Sequence, residues 1–503
     1  MEILSLPGEI LHLILVQAAL SRGLKRTLRL RLVCKTFDKA VYYPALFESR
    51  LLDHEHLRRR HCRGPVYTCN TNDHGVAKLW HDYLVYRAMG ERDPHVGRFV
   101  EIRQLAQTIV DEAQRLEWDL RHVVDTLCWS ALESGVKAPG DLYENWKREE
   151  ATDLDKIQAF PRPEPRLSLL AAAALFDMVP LATVLLEEGH DPQHHNNLLP
   201  PAIQIAAQSG TDDMRRLLFS HPSCGSDFNP YSVYGAAVRG DIEIMKAVFP
   251  APSEYDGGYN NGYGLIDWRH DASKAIPKAR RVTLNPEIYE YLSNAWAPGP
   301  RSGRTPWYAD LVSHAGRGNV GMVKYLLGRS VPVDEKNSEE LESALERTCR
   351  CGQDDVVDLL LERGADPDFT GHALWGAVPI RMAASAGHML IVRKLIDHGA
   401  KLVAHSGAGP GCGLGIDAMH WAFLLEHQEM ITLLLERGAT IRVGVSLATT
   451  LSHLGYESML DIVRQQGFEA EPITYGLPIR WTEWPENKSL KAEWFRRKRE
   501  EVM

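Results

Sequence analysis

Between Ser343 and Asp368 apolar and polar positions follow the helical period in two short bursts. The first ends at Gly352. The second holds Val356, Val357, Leu359, Leu360 and Leu361 and ends at Gly364, before a turn through Ala365, Asp366 and Pro367. Apolar residues three and four apart share one helical face, so the stretch predicts a pair of short helices. A pair this small leaves apolar surface on several sides and needs neighbours to cover it.

The neighbours are visible in the spacing. Gly352 and Gly364 lie twelve positions apart, and so do Gly387 and Gly399, and Gly455 and Gly467. Asp177 with Gly189 and Glu426 with Gly438 keep the distance without the first glycine. Each interval encloses one apolar helix pattern, such as VVDLLLERG, IVRKLIDHG or MITLLLERG. A change of one residue would rotate that apolar face by about 100°, so a packed second helix requires the constancy. Upstream, Ala206-Ala207, Ala236-Ala237 and Ala383-Ala384 precede Gly210, Gly240 and Gly387. Such small residues let adjacent first helices approach closely.

The predicted fold is all-α, in six segments. Residues 1–52 form a helical module in which Ile10, Leu13 and Ile14 make one stripe and Leu28, Leu32, Val33, Phe37 and Val41 another. Residues 53–165 read as a helical linker domain with helices near 76–89, 96–116 and 120–134, packed through Trp80, Tyr83, Leu84, Trp118 and Trp129. The proline-rich Phe160–Pro165 closes it. Helix-pair repeats fill 166–250 and 305–473, about eight in all. Residues 251–304, rich in Gly, Tyr, Asn and Pro, interrupt them as an insertion with one helix at Pro286–Trp296. Residues 403–417 form a glycine-rich loop, and 474–503 form a tail. The repeats at 198–222 and 229–250 lack a closing Gly-Ala, and the one near Ser330 has Arg-Ser-Val. Without the glycine that supplies a left-handed helix end, those turns are expected to be looser.

Two stretches carry family resemblances. Leu6-Pro7, Glu9-Ile10, Ile14-Leu15, the leucine–arginine run Leu28–Leu32, Val33-Cys34-Lys35 and Phe37 resemble an F-box in their order. The connector Ser21-Arg22-Gly23 departs from the family's acidic-leucine stretch. The resemblance implies docking on a Skp-family linker, and through it on a cullin–RING ubiquitin ligase. Leu6, Pro7, Glu9, Ile10, Ile14, Leu15, Val33, Cys34 and Phe37 would be the docking residues. Some of them must instead fill the module's own core. The alternative is a small hairpin that caps its neighbour. The repeats resemble ankyrin repeats, whose step is about 33 residues. The family's Thr-Pro-Leu-His-x-Ala survives in part as Val378–Ala384 and Asp417–Ala422. That resemblance implies an ankyrin solenoid binding a substrate protein. Trp307, Tyr308, Trp375 and Trp421 would be its aromatic anchors, or else fillers between irregular repeats.

Charge and candidate chemistry narrow the picture. The chain has 503 residues, more than one core usually supports, and a net charge of −9. That charge argues against chain-wide binding of nucleic acid or anionic membrane. Glu2 and Glu9 sit where a signal peptide wants positive charge. The apolar run Leu167–Leu186 is broken by Asp177 and Pro180 and reads as two packed helices. Eight scattered cysteines suit a reducing compartment, cytoplasmic or nuclear. His54, His56, His61, Cys62, Cys69 and His74 lack the paired spacing of a zinc site, so no metal is expected. Gly407–Gly415 lacks the lysine and strand of a nucleotide loop, so no cofactor is expected. Cys349 and Cys351 read as structural thiols, and His314 and His420 as partners of a neighbouring turn. Arg496–Arg499 reads as a solvated helix end or a nuclear signal. No nucleophile has partners that the sequence places, so the chain reads as a non-catalytic adaptor. A plain ankyrin scaffold without ligase association is the alternative.

Overall fold

A computed structural model describes residues 6–22, 35, 46–48, 74–92, 98–113, 118–133, 165–194, 198–224, 229–250, 275–295, 306–335, 343–369, 378–402, 418–439, 451 and 456–465. Among these the ordered elements are helical, with no strand. The chain divides into two compact units, Met1–Ala202 with Gly476–Met503, and Ile203–Tyr475.

The first unit begins with α1 (Gly8–Arg22), which Pro7 precedes. Next come α2 (His74–Gly90), α3 (Phe99–Ala113) and α4 (Leu120–Glu133). These three pack on one another through Tyr83, Leu84, Phe99, Ile102, Val124 and Leu127. Leu46 and Phe47 are buried, and Phe47 meets the Tyr83 ring edge-on at 5.3 Å. Trp129 stacks on His81 at 4.1 Å. The proline-rich segment does not end this unit. The helix pair α5 (Pro165–Leu175) and α6 (Val179–Glu187) belongs to it, and α5 packs on α3. Ser168 Oγ donates to Glu101 at 3.4 Å, and Trp118 packs on Phe176 at 5.2 Å. Apolar cover therefore runs across the expected boundary at 165/166.

The second unit is a row of helix pairs. They are α7 (Ala202–Ser209, most of it in this unit) with α8 (Asp212–Phe219), and α9 (Pro230–Arg239) with α10 (Ile242–Val248). Helical residues 275–280 pair with α11 (Pro286–Ala295). Then come α12 (Pro306–Gly316) with α13 (Val320–Gly328), α14 (Ala344–Cys351) with α15 (Asp354–Glu362), and α16 (Pro379–Ala386) with α17 (Met389–Asp397). The row continues with α18 (Ala418–Leu424), α19 (Gln428–Glu436) and α20 (Glu457–Gln465). First helices pack on first helices, as α12 on α14, α14 on α16 and α16 on α18. Second helices pack on second helices, as α13 on α15 and α15 on α17.

Two expectations are revised here. The stretch 251–304 is not wholly an insertion. Ile276, Ala279, Ile288 and Leu292 share a core with Val233, Ala237 and Met245 of the preceding pair. Residues 275–295 are thus a helix pair of the row itself. The loss of glycine also does not loosen every turn. Ser330 takes φ 64, and its turn keeps the bonds Ser330 N–H to Leu327 at 3.2 Å and Val331 N–H to Leu326 at 3.3 Å. Gly364 makes the same two bonds with φ 85. Asp177 and Glu426 likewise sit at positive φ, where a side chain is strained but polar residues tolerate it. The turn after α8 does change: Ser220 is right-handed and runs into a 3-10 turn at Pro222–Cys224.

Ser343 shows why the first helix of a pair starts where it does. Its hydroxyl accepts from Glu346 N–H at 3.0 Å, and the Glu346 carboxylate accepts the Ser343 N–H in return, satisfying two donors that helix starts leave open. First helices also come close where residues are small. A Cβ added to Gly235 would meet the Gln204 carbonyl and lie 2.8 Å from Ala207 Cβ.

Candidate functional site

The F-box-like residues separate by exposure along α1. Leu11 and Leu15 point inward, with Leu15 2% exposed. Ile10, Leu13 and Ile14 face outward at 45%, 58% and 39% exposure. The geometry follows from the helical period: 10, 13 and 14 share a stripe, and 11 and 15 lie on the adjoining one. Pro7 and Glu9 are exposed and Leu6 is half-buried. His12 bonds Glu48 at 3.0 Å and so ties α1 to residues 46–48. The expected docking role of Leu15 is therefore corrected: it is core, and its apolar character serves packing. Val33, Cys34 and Phe37 lie outside the described residues.

The aromatic anchors fare differently. Tyr308 is fully buried, and its hydroxyl accepts the Ala344 N–H at 3.2 Å, so it joins α12 to α14 and offers no surface. Burial pushes its phenol pKa well up. Trp307 is half-buried and carries the Arg280 guanidinium over its ring at 4.6 Å. Trp421 is half-buried against the main core. Trp375 lies outside the described residues, as do the histidine–cysteine stretch from His54 to Cys69, the loop Gly407–Gly415 and the basic Arg496–Arg499.

A buried polar junction that the sequence reading missed joins 275–280, α11 and α12. Asp310 is 0% exposed and Arg280 is 2% exposed. Arg280 Nε lies 3.0 Å from one Asp310 oxygen, and Arg281 Nε donates to the other at 3.1 Å. The Tyr289 hydroxyl also donates to Asp310, at 2.9 Å. Burial pushes the Asp310 carboxyl upward, while the Arg280 and Arg281 guanidiniums pull it down. One turn later, His314 Nε2 bonds the Arg280 carbonyl at 2.9 Å and Asn319 Nδ2 meets His314 Nδ1 at 3.1 Å. Asn319 can only donate from that nitrogen, so Nδ1 accepts and Nε2 carries the proton. Burial pushes His314 down to about 4, so the ring is neutral at pH 7. The histidine thus bonds a neighbouring turn. His420 is half-buried in α18, Cys349 is buried with its thiol raised by burial, and Cys351 is half-buried. These groups are committed to packing, and the arrangement is that of a stack with accessible faces.

No family model matches the chain. A stretch of 169 residues, 33% of the chain, is 36% identical to glycerophosphocholine phosphodiesterase GDE1 of Eremothecium gossypii, covering 12% of that protein. A stretch of 101 residues, 20% of the chain, is 34% identical to the inactive serine/threonine-protein kinase TEX14 of Bos taurus, covering 7% of it. A putative ankyrin repeat-containing protein of Treponema pallidum is 30% identical over 116 residues, 23% of this chain and 36% of that protein. The chain thus spans a minor part of each relative. Among the described residues, no helix is long and apolar enough to cross a membrane.

Proposed function

We propose that the chain is a non-catalytic adaptor in which α1 docks on a Skp-family linker of a cullin–RING ubiquitin ligase and the helix-pair array holds a substrate protein. The observation that carries the first half is the outward stripe Ile10, Leu13 and Ile14, three aliphatic side chains exposed on one face while Leu11 and Leu15 hold the helix to its unit. Uncovered aliphatic stripes of this kind suit a partner groove. The array half is supported by the repeated helix pairs with left-handed turns at a twelve-residue interval. Positive φ occurs at Asp177 and Gly189, Gly318 and Ser330, Gly352 and Gly364, Gly387 and Gly399, and Glu426 and Gly438. The similarity to an ankyrin repeat-containing protein supports the same half. A scaffold that binds proteins without a ligase rests on the array alone and is the second reading.

The test is capture of a purified Skp-family protein by the full chain and by Ile10→Glu with Ile14→Glu. Both positions are exposed, so the fold is expected to survive and binding to fall at least tenfold. Equal capture by a variant with unchanged helical signal refutes the docking half and leaves the scaffold reading.

A further inference from the structure

Two apolar cores of the second unit meet at a joint that is polar. One core joins α9, α10, residues 275–280 and α11 through Val233, Met245, Ile276, Ile288 and Leu292. The other runs unbroken from α12 to α20, from Tyr308 and Leu311 to Leu460 and Val463. Of residues 275–295, Tyr289 alone among the described residues belongs to that second core.

The contacts at the joint differ in kind from those on either side. α12 meets residues 280 and 281 through Asp310, which faces the Nε atoms of Arg280 and Arg281, and through His314, which bonds the Arg280 carbonyl. Tyr289 gives its hydroxyl to Asp310 and its ring to Trp307 and Tyr325, at 6.2 and 5.9 Å. Between the second helices, Glu290 of α11 meets Tyr325 at 3.2 Å and Arg329 at 3.1 Å, and this pair is exposed. A buried ion pair regains in attraction roughly what its desolvation costs, so a joint built on Arg280 and Asp310 gains less than an apolar one. The pair is also incompletely satisfied. Among the described residues Arg280 Nη1 has no hydrogen-bond partner, although Arg280 is 2% exposed. A buried donor without a partner is penalised in the closed joint and relieved by water in an open one. Stacked helix pairs are held by the sum of their nearest-neighbour interfaces, so an array separates first where one interface is weak.

We propose that this joint is a built-in break, at which the block from α9 to α11 opens while α12–α20 stays folded. The inference stands apart from the adaptor reading, since it needs neither α1 nor a ligase. Opening uncovers one group in particular. Trp307 is half-buried against Arg280 and Tyr289, and both belong to the block that departs. The aromatic anchor is thus shielded in the closed array and presented in the open one.

The experiment is hydrogen exchange of the full chain in urea below global unfolding, read by mass spectrometry of peptic fragments. Fragments holding the Met245 and Tyr289 amides, bonded to Asp241 and Asn285 at 3.0 Å, report on the first block. Fragments holding the Val357 and Val392 amides, bonded to Gln353 and His388 at 3.0 Å, report on the second. The first set is expected to exchange at least about tenfold faster than the second and to share one urea dependence. Arg280→Met with Asp310→Leu replaces the ionic contact by an apolar one and is expected to remove about half or more of that difference. Where the double variant does not fold, Tyr289→Phe decides: it keeps the ring, loses the hydroxyl bonded to Asp310, and is expected to widen the difference about two- to tenfold. Equal protection of the two blocks overturns the proposal. So does a difference that the variant leaves unchanged, because it would then arise inside the blocks and not at the joint.

Discussion

His314 makes the second unit's stability depend on pH in a calculable way. Its ring is fully buried in α12 and bonded on both nitrogens, to the Arg280 carbonyl and to Asn319. Burial holds it down at about 4, against an ordinary value of 6.5. Between those values the unfolded chain carries a proton there that the folded chain does not. The stabilisation is therefore complete above about pH 6.5 and drains away as pH falls toward about 4. The whole gap corresponds to about 3 kcal/mol, at about 1.4 kcal/mol for each tenfold change in proton affinity. About 2 kcal/mol of it is lost by about pH 5.

The perturbation that isolates this residue is His314→Gln, which keeps an N–H donor near the Arg280 carbonyl and removes the titration. Urea unfolding of wild type and variant, followed by far-ultraviolet circular dichroism at about pH 7 and pH 5, gives the comparison. Other histidines and Asp310 contribute to both proteins and cancel. The wild type is expected to lose about 2 kcal/mol more than the variant between the two conditions. Repeat arrays can unfold in parts, so exchange of the Asn319 amide, bonded to the His314 carbonyl at 3.0 Å, supplies a local readout. If both proteins lose the same stability and the same protection, the ring is not held neutral and the reasoning fails.

Three further outcomes follow from the packing. Gly235→Ala drives a methyl into the Gln204 carbonyl between α7 and α9, and about 1–3 kcal/mol of stability is expected to go, read as a lower urea midpoint. Ser330→Gly removes the strain of φ 64. It is expected to add up to about 1 kcal/mol, the relief of about 1–2 kcal/mol being partly offset by the freedom glycine gains when unfolded; a drop in melting temperature would contradict it. Asp310→Ala leaves Arg280 buried without its counter-charge and is expected to cost about 3–5 kcal/mol, whereas a change under about 1 kcal/mol would show that the pair is not buried in solution.

The repeat interval was legible because two constraints coincide in it. A left-handed residue ends each helix, and a fixed helix length brings the next such residue to the same face. Ser330, Asp177 and Glu426 show that the interval carries more information than the glycines, since the turn persists without them. The helix pair at 275–295 was hidden for the opposite reason. Its first helix, around Pro277, has neither an alanine pair nor a glycine stop, and its neighbours Tyr263 and Gly264 read as loop. Its place in the row depends on Ile276 and Leu292 meeting Val233 and Met245, contacts that no local pattern announces. The Arg280–Asp310 junction was missed with it. A trace did exist: Asp310 occupies a first-helix position that Ala344 and Pro379 fill in later pairs, relative to the turn residue that closes each first helix. On α1, Ile14 and Leu15 are equally apolar, and only the packed helix separates the exposed one from the buried one.

The first and second helices hold their charged groups in different surroundings. Ion pairs between second helices, such as Lys394 with Asp358 at 2.6 Å, Arg437 with Asp397 at 2.6 Å and Arg329 with Glu290 at 3.1 Å, are half-buried to exposed. Such pairs contribute about 0–1 kcal/mol each, so these charges add little to stability. The first helices instead spend their polar groups inward, in the Ser343–Glu346 cap, the His314 bond and the Asp310 junction. The cost of a lost charge therefore differs between the two sets: Asp310 or Arg280 left alone would be a buried, uncompensated ion, whereas losing Asp397 would leave Arg437 in water.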